Sequence, residues 1–167
     1  MKIVLMGNPV LRRKAKPVRR VTAELVRVAS LMEDFMQPNG VGLAAPQIGI
    51  SDRFFVYDVG EGVHLVVNPQ ILERRGEAVD EEGCLSIPGI WAPVQRAAGI
   101  TVSFLDHDGK RHIKSFEDLE ARVIQHEYDH LEGRLFVDYV EDPSTIRVQD
   151  DSPVAVELVH ALEFRGL

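Results

Sequence analysis

Residues Gln125-His126-Glu127-Tyr128-Asp129-His130 constrain this chain more than any other stretch, because their chemistry makes sense on a helix. At about 3.6 residues per turn, positions four apart lie one above the other, so His126 and His130 share a face and both imidazoles can reach one divalent ion. Glu127 is rotated off that line. Its carboxylate can accept a proton from water beside the ion without becoming a ligand, which points to metal-assisted hydrolysis. Coincidence on a solvated helix face is the competing reading. The helix is expected to begin near Phe116-Glu117-Asp118, with Leu119, Val123, Ile124 and Leu131 facing inward, which places it at the centre of the fold. A hydrolytic metal site wants three protein ligands and one open position, so a third donor must come from elsewhere.

The rest of the chain predicts the frame around that helix. Asn8-Pro9 caps a short basic helix that Pro17 stops. Thr22 caps a longer one, with Leu25, Val28, Ala29, Met32, Phe35 and Met36 at helical spacing and Pro38-Asn39-Gly40 at its end. Residues 40–49 are rich in glycine and alanine and let the backbone approach something closely, but lack the lysine of a phosphate loop. Residues 54–59 and 64–68 read as a hairpin turning through Gly60-Glu61-Gly62, and 100–105 with 111–116 as another turning through 106–109. Periodicity is lost after Pro143 until Ser152-Pro153 starts a terminal helix with Val154, Leu158, Ala161 and Leu162 on one face. The expectation is one α+β domain over 1–167, with mostly antiparallel sheet packed around the helix that carries the histidines and an acidic tail from about residue 141.

Composition narrows the function classes. No apolar run approaches the ~20 residues of a membrane span, and the apolar start before Gly7-Asn8-Pro9 is short for a secretory signal. The single cysteine excludes an internal disulfide and suits a reducing compartment. A cytoplasmic protein is expected. A net charge of -7 argues against nucleic acid as a specific partner, although Arg12, Arg13, Lys14, Lys16, Arg19 and Arg20 form a basic patch that leaves RNA contact open. Asp138, Glu141, Asp142, Asp150 and Asp151 make the end acidic. His64, His107 and His112 fall on strands or a turn tip and read as exposed polar residues.

Candidates for the third ligand are few. One longer version of the histidine motif would place another histidine at 136, but that residue is Phe136. A zinc protease could instead recruit Glu157 or Glu163 from a later helix folded back onto the site. The lone cysteine sits in Glu81-Glu82-Gly83-Cys84-Leu85-Ser86, and by itself is more often a small buried hydrophobe. Taken with G-V-G-L-A-A-P-Q from Gly40 and Q-H-E-Y-D-H-L-E-G from Gln125, E-G-C-L-S completes a set whose order and spacing resemble the peptide deformylase family from about Met1 to Tyr139. Asn8-Pro9-Val10-Leu11-Arg12 and Pro88-Gly89-Ile90 resemble it too.

That resemblance implies Cys84, His126 and His130 around one ion with water in the fourth position. It implies Fe2+ in the cell, with Ni2+, Co2+ or Zn2+ able to substitute. It implies removal of the N-formyl group from N-formylmethionyl peptides, nascent or free, with formate as product. Glu127 acts as base, while the Gln47 amide and the Leu85 backbone N–H stabilise the oxyanion. An extended substrate pairs with Val41 and Gly42 on one side and Glu82 and Gly83 on the other. Val41, Leu119, Val123 and the His126 ring form the methionine pocket, with core packing an equal reading of the three aliphatic residues. Gln125 hydrogen-bonds near the site, and Gly133 ends the helix in a left-handed conformation. Asp129 either orients a ligand ring or is a plain exposed aspartate. A monomer is expected, and the acidic tail argues against docking on the ribosome. A non-catalytic peptide-binding relative is the alternative from another class.

Overall fold

The computed structural model describes residues 1–167. In chain order its elements are α1 (Ala23–Met36), β1 (Gly42–Ala44), β2 (Phe54–Tyr57), β3 (His64–Arg75), β4 (Ala78–Cys84), β5 (Ile87–Arg96), β6 (Gly99–Leu105), β7 (Arg111–Glu117), α2 (Asp118–Leu131), β8 (Arg147–Val148) and α3 (Ala155–Phe164). No helix is long and apolar enough to cross a membrane.

Local signals set several boundaries directly. Thr22 Oγ1 accepts the Leu25 N–H at 3.2 Å and starts α1, whose Ala29, Met32 and Met36 are buried. Phe35, read as part of that inward stripe, is 40% exposed. The basic segment forms only a single 3-10 turn, Pro9–Arg12, with Asn8 Oδ1 accepting from Val10 N. One turn is shorter than a helix nucleus can sustain against the extended backbone that follows at Arg13.

Two antiparallel sheets result, one ordered β1-β2-β3-β6-β7 and the other β4-β5-β8. The hairpins β2–β3 and β6–β7 match the alternating sequence. β3 runs on to Arg75 because residues 70–75 find partners in β6, across two register shifts. The hairpin β4–β5 and the short β8 have no matching pattern: β4 is mostly exposed and acidic, and β5 carries Pro88 and Pro93. Their pairing is decided by partners, not by propensity.

α2 follows β7 without a loop. The reversal occurs at Asp118, in the left-handed region at φ 54°, whose N–H donates to Ala98 O at 3.0 Å. One side of the helix packs Ala121, Val123, Ile124 and Leu131 against Phe55, Tyr57, Ile100, Val102 and Phe116 of the larger sheet. Leu119 does not join that core and is 55% exposed. The remaining buried residues of α2, Arg122, Gln125, Glu127, Asp129 and His130, are polar. A buried polar face needs partners, and the smaller sheet supplies those of Arg122 and Asp129. Gly133 at φ 73° terminates the helix as expected. A second core joins the N-terminal segment, Ile87 and Ile90 of β5, Phe136, and Val154 and Leu158 of the terminal segment.

Candidate metal centre

The sulfur and two imidazoles converge. Ligand atoms of Cys84, His126 and His130 all lie within 4.8 Å of one another, and Cys84 Sγ is 3.4 Å from His130 Nε2. The His126 Nδ1 is taken by Glu82 Oε1 at 2.7 Å, which leaves Nε2 to face the trio. Cys84 reaches this point because it ends β4 just after a register shift in the β4–β5 ladder. A thiolate with two imidazoles is a fitting donor set for one transition-metal ion. The competing third ligands are elsewhere: Glu157 packs beside Gly7, Glu163 is exposed, and Phe136 stacks on the His126 ring with centroids 6.1 Å apart.

Glu127 lies beside the trio, buried, with Oε2 lacking any hydrogen-bond partner. Burial pushes its carboxyl up to about 7, so it can hold or release a proton near neutrality. β1 presses against it so closely that a Cβ at Gly42 would overlap the carboxylate. Gln47 is also buried. Its Oε1 accepts the Ala44 N–H at 2.9 Å, and its Nε2 donates to Ser86 Oγ at 3.1 Å and toward Cys84 Sγ at 3.5 Å.

The support behind His126 was not foreseen. Glu82, expected only as a backbone partner, directs its carboxylate into the protein and accepts from Arg96 Nε and Nη2 at 2.7 and 2.9 Å and from Arg122 Nη1 at 2.7 Å, in addition to His126. Burial opposes ionisation of Glu82, yet the hydrogen bonds from Arg96 and His126 hold its carboxyl well below the usual range. Burial likewise opposes a charge on His126, but hydrogen bonds to Cys84 and Glu82 raise its pKa well above the usual value. In His130, burial and the neighbouring His126 act together and lower it. Asp129 is neither an exposed residue nor a partner of a ligand ring. It is buried, and accepts from Arg96 Nη1 at 2.6 Å and Tyr139 Oη at 3.0 Å. Gln125 clamps the Ala97 backbone, accepting from its N–H and donating to its carbonyl, so its task is to tie α2 to the chain after β5. A sequence signal for Arg96 and Arg122 existed only in that buried acids need cations.

A cleft of about 720 Å³ opens over the centre. β1 and β4 are each an edge of their sheet, and residues of both line it. Val41, Gly42, Gln47, Glu82, Gly83, Leu85, Leu119, Val123, His126 and Glu127 all contribute, so the predicted site residues are brought together. Val41 and Leu119, at 47% and 55% exposure, are cleft walls and not core. The other wall runs from Ile87 to Trp91 with Gln149; of these only Pro88-Gly89-Ile90 carries a sequence signal, through family resemblance, while Trp91 and Gln149 carry none.

The chain is similar to known proteins along most of its length. A sequence model described as polypeptide deformylase matches residues 1–145. A peptide deformylase of Desulfitobacterium hafniense is 48% identical over 143 residues, covering 85% of this chain and 95% of its own length. The crystal structure of peptide deformylase from Thermotoga maritima superposes with a TM-score of 0.82 at 45% identity, covering 84% of this chain and 97% of that one. The Synechococcus elongatus peptide deformylase, solved in complex with actinonin, gives a TM-score of 0.83 at 37% identity over 100% of this chain and 86% of that one.

Proposed function

The chain belongs to the polypeptide deformylase family, and from that premise we propose that it hydrolyses the N-formyl group from peptides beginning with N-formylmethionine, releasing formate. A divalent ion held by Cys84, His126 and His130, Fe2+ in the cell with Ni2+, Co2+ or Zn2+ as substitutes, would supply Lewis-acid polarisation of water and of the formyl oxygen.

The chain's own residues do the remainder. The substrate backbone adds as a strand between the free edges at Val41-Gly42 and Glu82-Gly83, where main-chain hydrogen bonds ignore side-chain identity. The methionine side chain enters between Leu119, Val123 and the His126 ring. Glu127 accepts a proton from the attacking water at its free Oε2 as the new C–O bond forms, and returns it to nitrogen as the C–N bond breaks. Gln47 Nε2, turned from Ser86 Oγ, and the Leu85 N–H donate to the formyl oxygen as charge builds there, each donor contributing roughly 3 kcal/mol. Formate and a free amine leave. This reading treats 1–167 as one catalytic domain acting as a cytoplasmic monomer.

The observation that carries it is Glu127, buried with an unpartnered oxygen beside three converging donors at the foot of a cleft between two sheet edges. The test is anaerobic loading with Fe2+ or Ni2+ and formate release from formyl-Met-Ala-Ser. A binding module gives no turnover. A protease cleaves unformylated peptides internally and retains metal after Cys84→Ser. For the ribosome, the acidic tail predicts weaker co-sedimentation than a basic-tailed relative shows, and equal pelleting would remove that expectation.

A further inference from the structure

The tail after residue 145, where the family match ends, returns to the cleft. β8 pairs with β5 through Ile90–Val148 and Trp91–Arg147, the Gln149 N–H donates to Gly89 O at 2.8 Å, and Ser152 Oγ donates to Pro88 O at 2.7 Å. The crossing is tight: Gly89 sits at φ 77°, and a Cβ there would lie 3.1 Å from Gln149 Oε1 and 3.3 Å from the Cβ of Ser152. Gln149 thereby becomes part of the cleft wall beside Trp91. Trp91 in turn lies across Gly83, where a Cβ would meet the indole at 2.8 Å. Arg147 sits over the Trp91 ring, 5.8 Å from its centroid, and forms an ion pair with Glu81, also in the wall.

Distance along β4 says which part of a substrate meets this wall. Glu81 lies three residues before Cys84, about 10 Å along an extended strand. A peptide laid antiparallel along β4 with its reacting end at Cys84 therefore brings its second and third residues alongside Gly83 to Glu81. We propose that Trp91 with the tail residues Arg147 and Gln149 forms the subsite for the second and third residues of the substrate, and that the Arg147–Glu81 pair makes this subsite indifferent to their charge. The proposal rests on the deformylase reading and extends it to substrate selection.

Two readouts test it on the full-length, metal-loaded protein. Trp91 is the only tryptophan, so its emission reports occupancy without turnover. The product peptide Met-Ala-Ser should shift that emission saturably, and methionine amide should not. Identical shifts with both, or no shift with a tripeptide that competes with substrate, would overturn the proposal. The second readout is kcat/KM for formyl-Met-Xaa-Ser and formyl-Met-Ala-Xaa with Xaa as Lys or Asp. Arg147→Ala leaves Glu81 unopposed and should move the Lys/Asp ratio about threefold toward Lys, while Glu81→Gln should move it similarly toward Asp. Gln149→Ala should lower kcat/KM for the tripeptides and spare formyl-methionine amide. Unchanged ratios at both positions, or losses that include the amide equally, would refute the subsite. An absence of formate release by the unaltered protein would strike the deformylase reading itself, and the emission titration separates that failure from this one.

Discussion

Two histidine–carboxylate pairs in this molecule look alike at close range and differ in everything around them. His126 Nδ1 meets Glu82 at 2.7 Å, and His112 Nε2 meets Asp106 at 2.6 Å. Each also neighbours a cluster with metal-ligand groups, Cys84-His126-His130 in one case and Asp106-His107-Asp108 in the other. The Glu82 side chain is 6% exposed and its charge is met by two guanidinium groups, whereas Asp106 is in a hairpin turn where it also accepts the Asp108 and Lys110 N–H groups. The first pair fixes a ring that can act on a ligand. The second closes a turn. A short hydrogen bond does not make a site; burial, with an unpartnered group aimed into a cleft, does.

The sharpest way to break that contrast is at Glu127. Glu127→Ala should lower formate release roughly a thousandfold while leaving one ion per chain by elemental analysis. Loss of the metal together with turnover would mean that Glu127 is a ligand and not a base.

Glu82→Gln should come next in size. It weakens the anchor of Arg96 and Arg122, so the metal-free protein should lose about 3 kcal/mol or more in urea unfolding, and chelator competition should show a roughly tenfold or greater fall in ion affinity. An unaltered affinity would show that Glu82 only neutralises arginines.

Asp106→Asn should be modest by comparison, at most about 1 kcal/mol, with formate release unchanged. The His112 hydrogen bond holds the Asp106 carboxyl down at about 2. A depressed carboxylate stabilises the fold fully above its ordinary value and loses that contribution as pH falls through about 2. Unfolding midpoints measured from pH 5 downward should therefore converge for the mutant and the parent at the acid end. Smallest of all, His107→Ala should leave metal content unaltered; a second ion lost with it would erase the distinction between the two clusters.

The sequence made much of this site legible for a local reason. Four-residue spacing on a helix fixes His126 and His130 relative to each other before any tertiary contact forms, and Thr22 marks the start of α1 through a hydrogen bond three residues long. Alternation similarly disclosed the β2–β3 and β6–β7 hairpins. The place of Cys84 beside the two imidazoles was legible only through family resemblance, because a lone cysteine carries no spacing. Glu82 as a partner of His126 was hidden by a separation of 44 positions along the chain, and Asp129 by a polar identity that suits a surface as well as an ion network. Leu119 and Phe35 matched an apolar helical stripe yet face outward, since periodicity gives a face and not what covers it.

By itself, then, the order of residues settled which helix bears the paired imidazoles, where the β2–β3 and β6–β7 hairpins turn, and that a carboxylate stands beside the first imidazole. Those are consequences of backbone period and short-range hydrogen bonding. Only the folded chain decided that the β4–β5 turn delivers Cys84 to the same point, that Glu82 turns inward to Arg96 and Arg122, and that β8 brings Gln149 back over Gly89. Each of these needs strands far apart in sequence to pair in one register, and that register is chosen by the summed burial and polar satisfaction of the whole molecule.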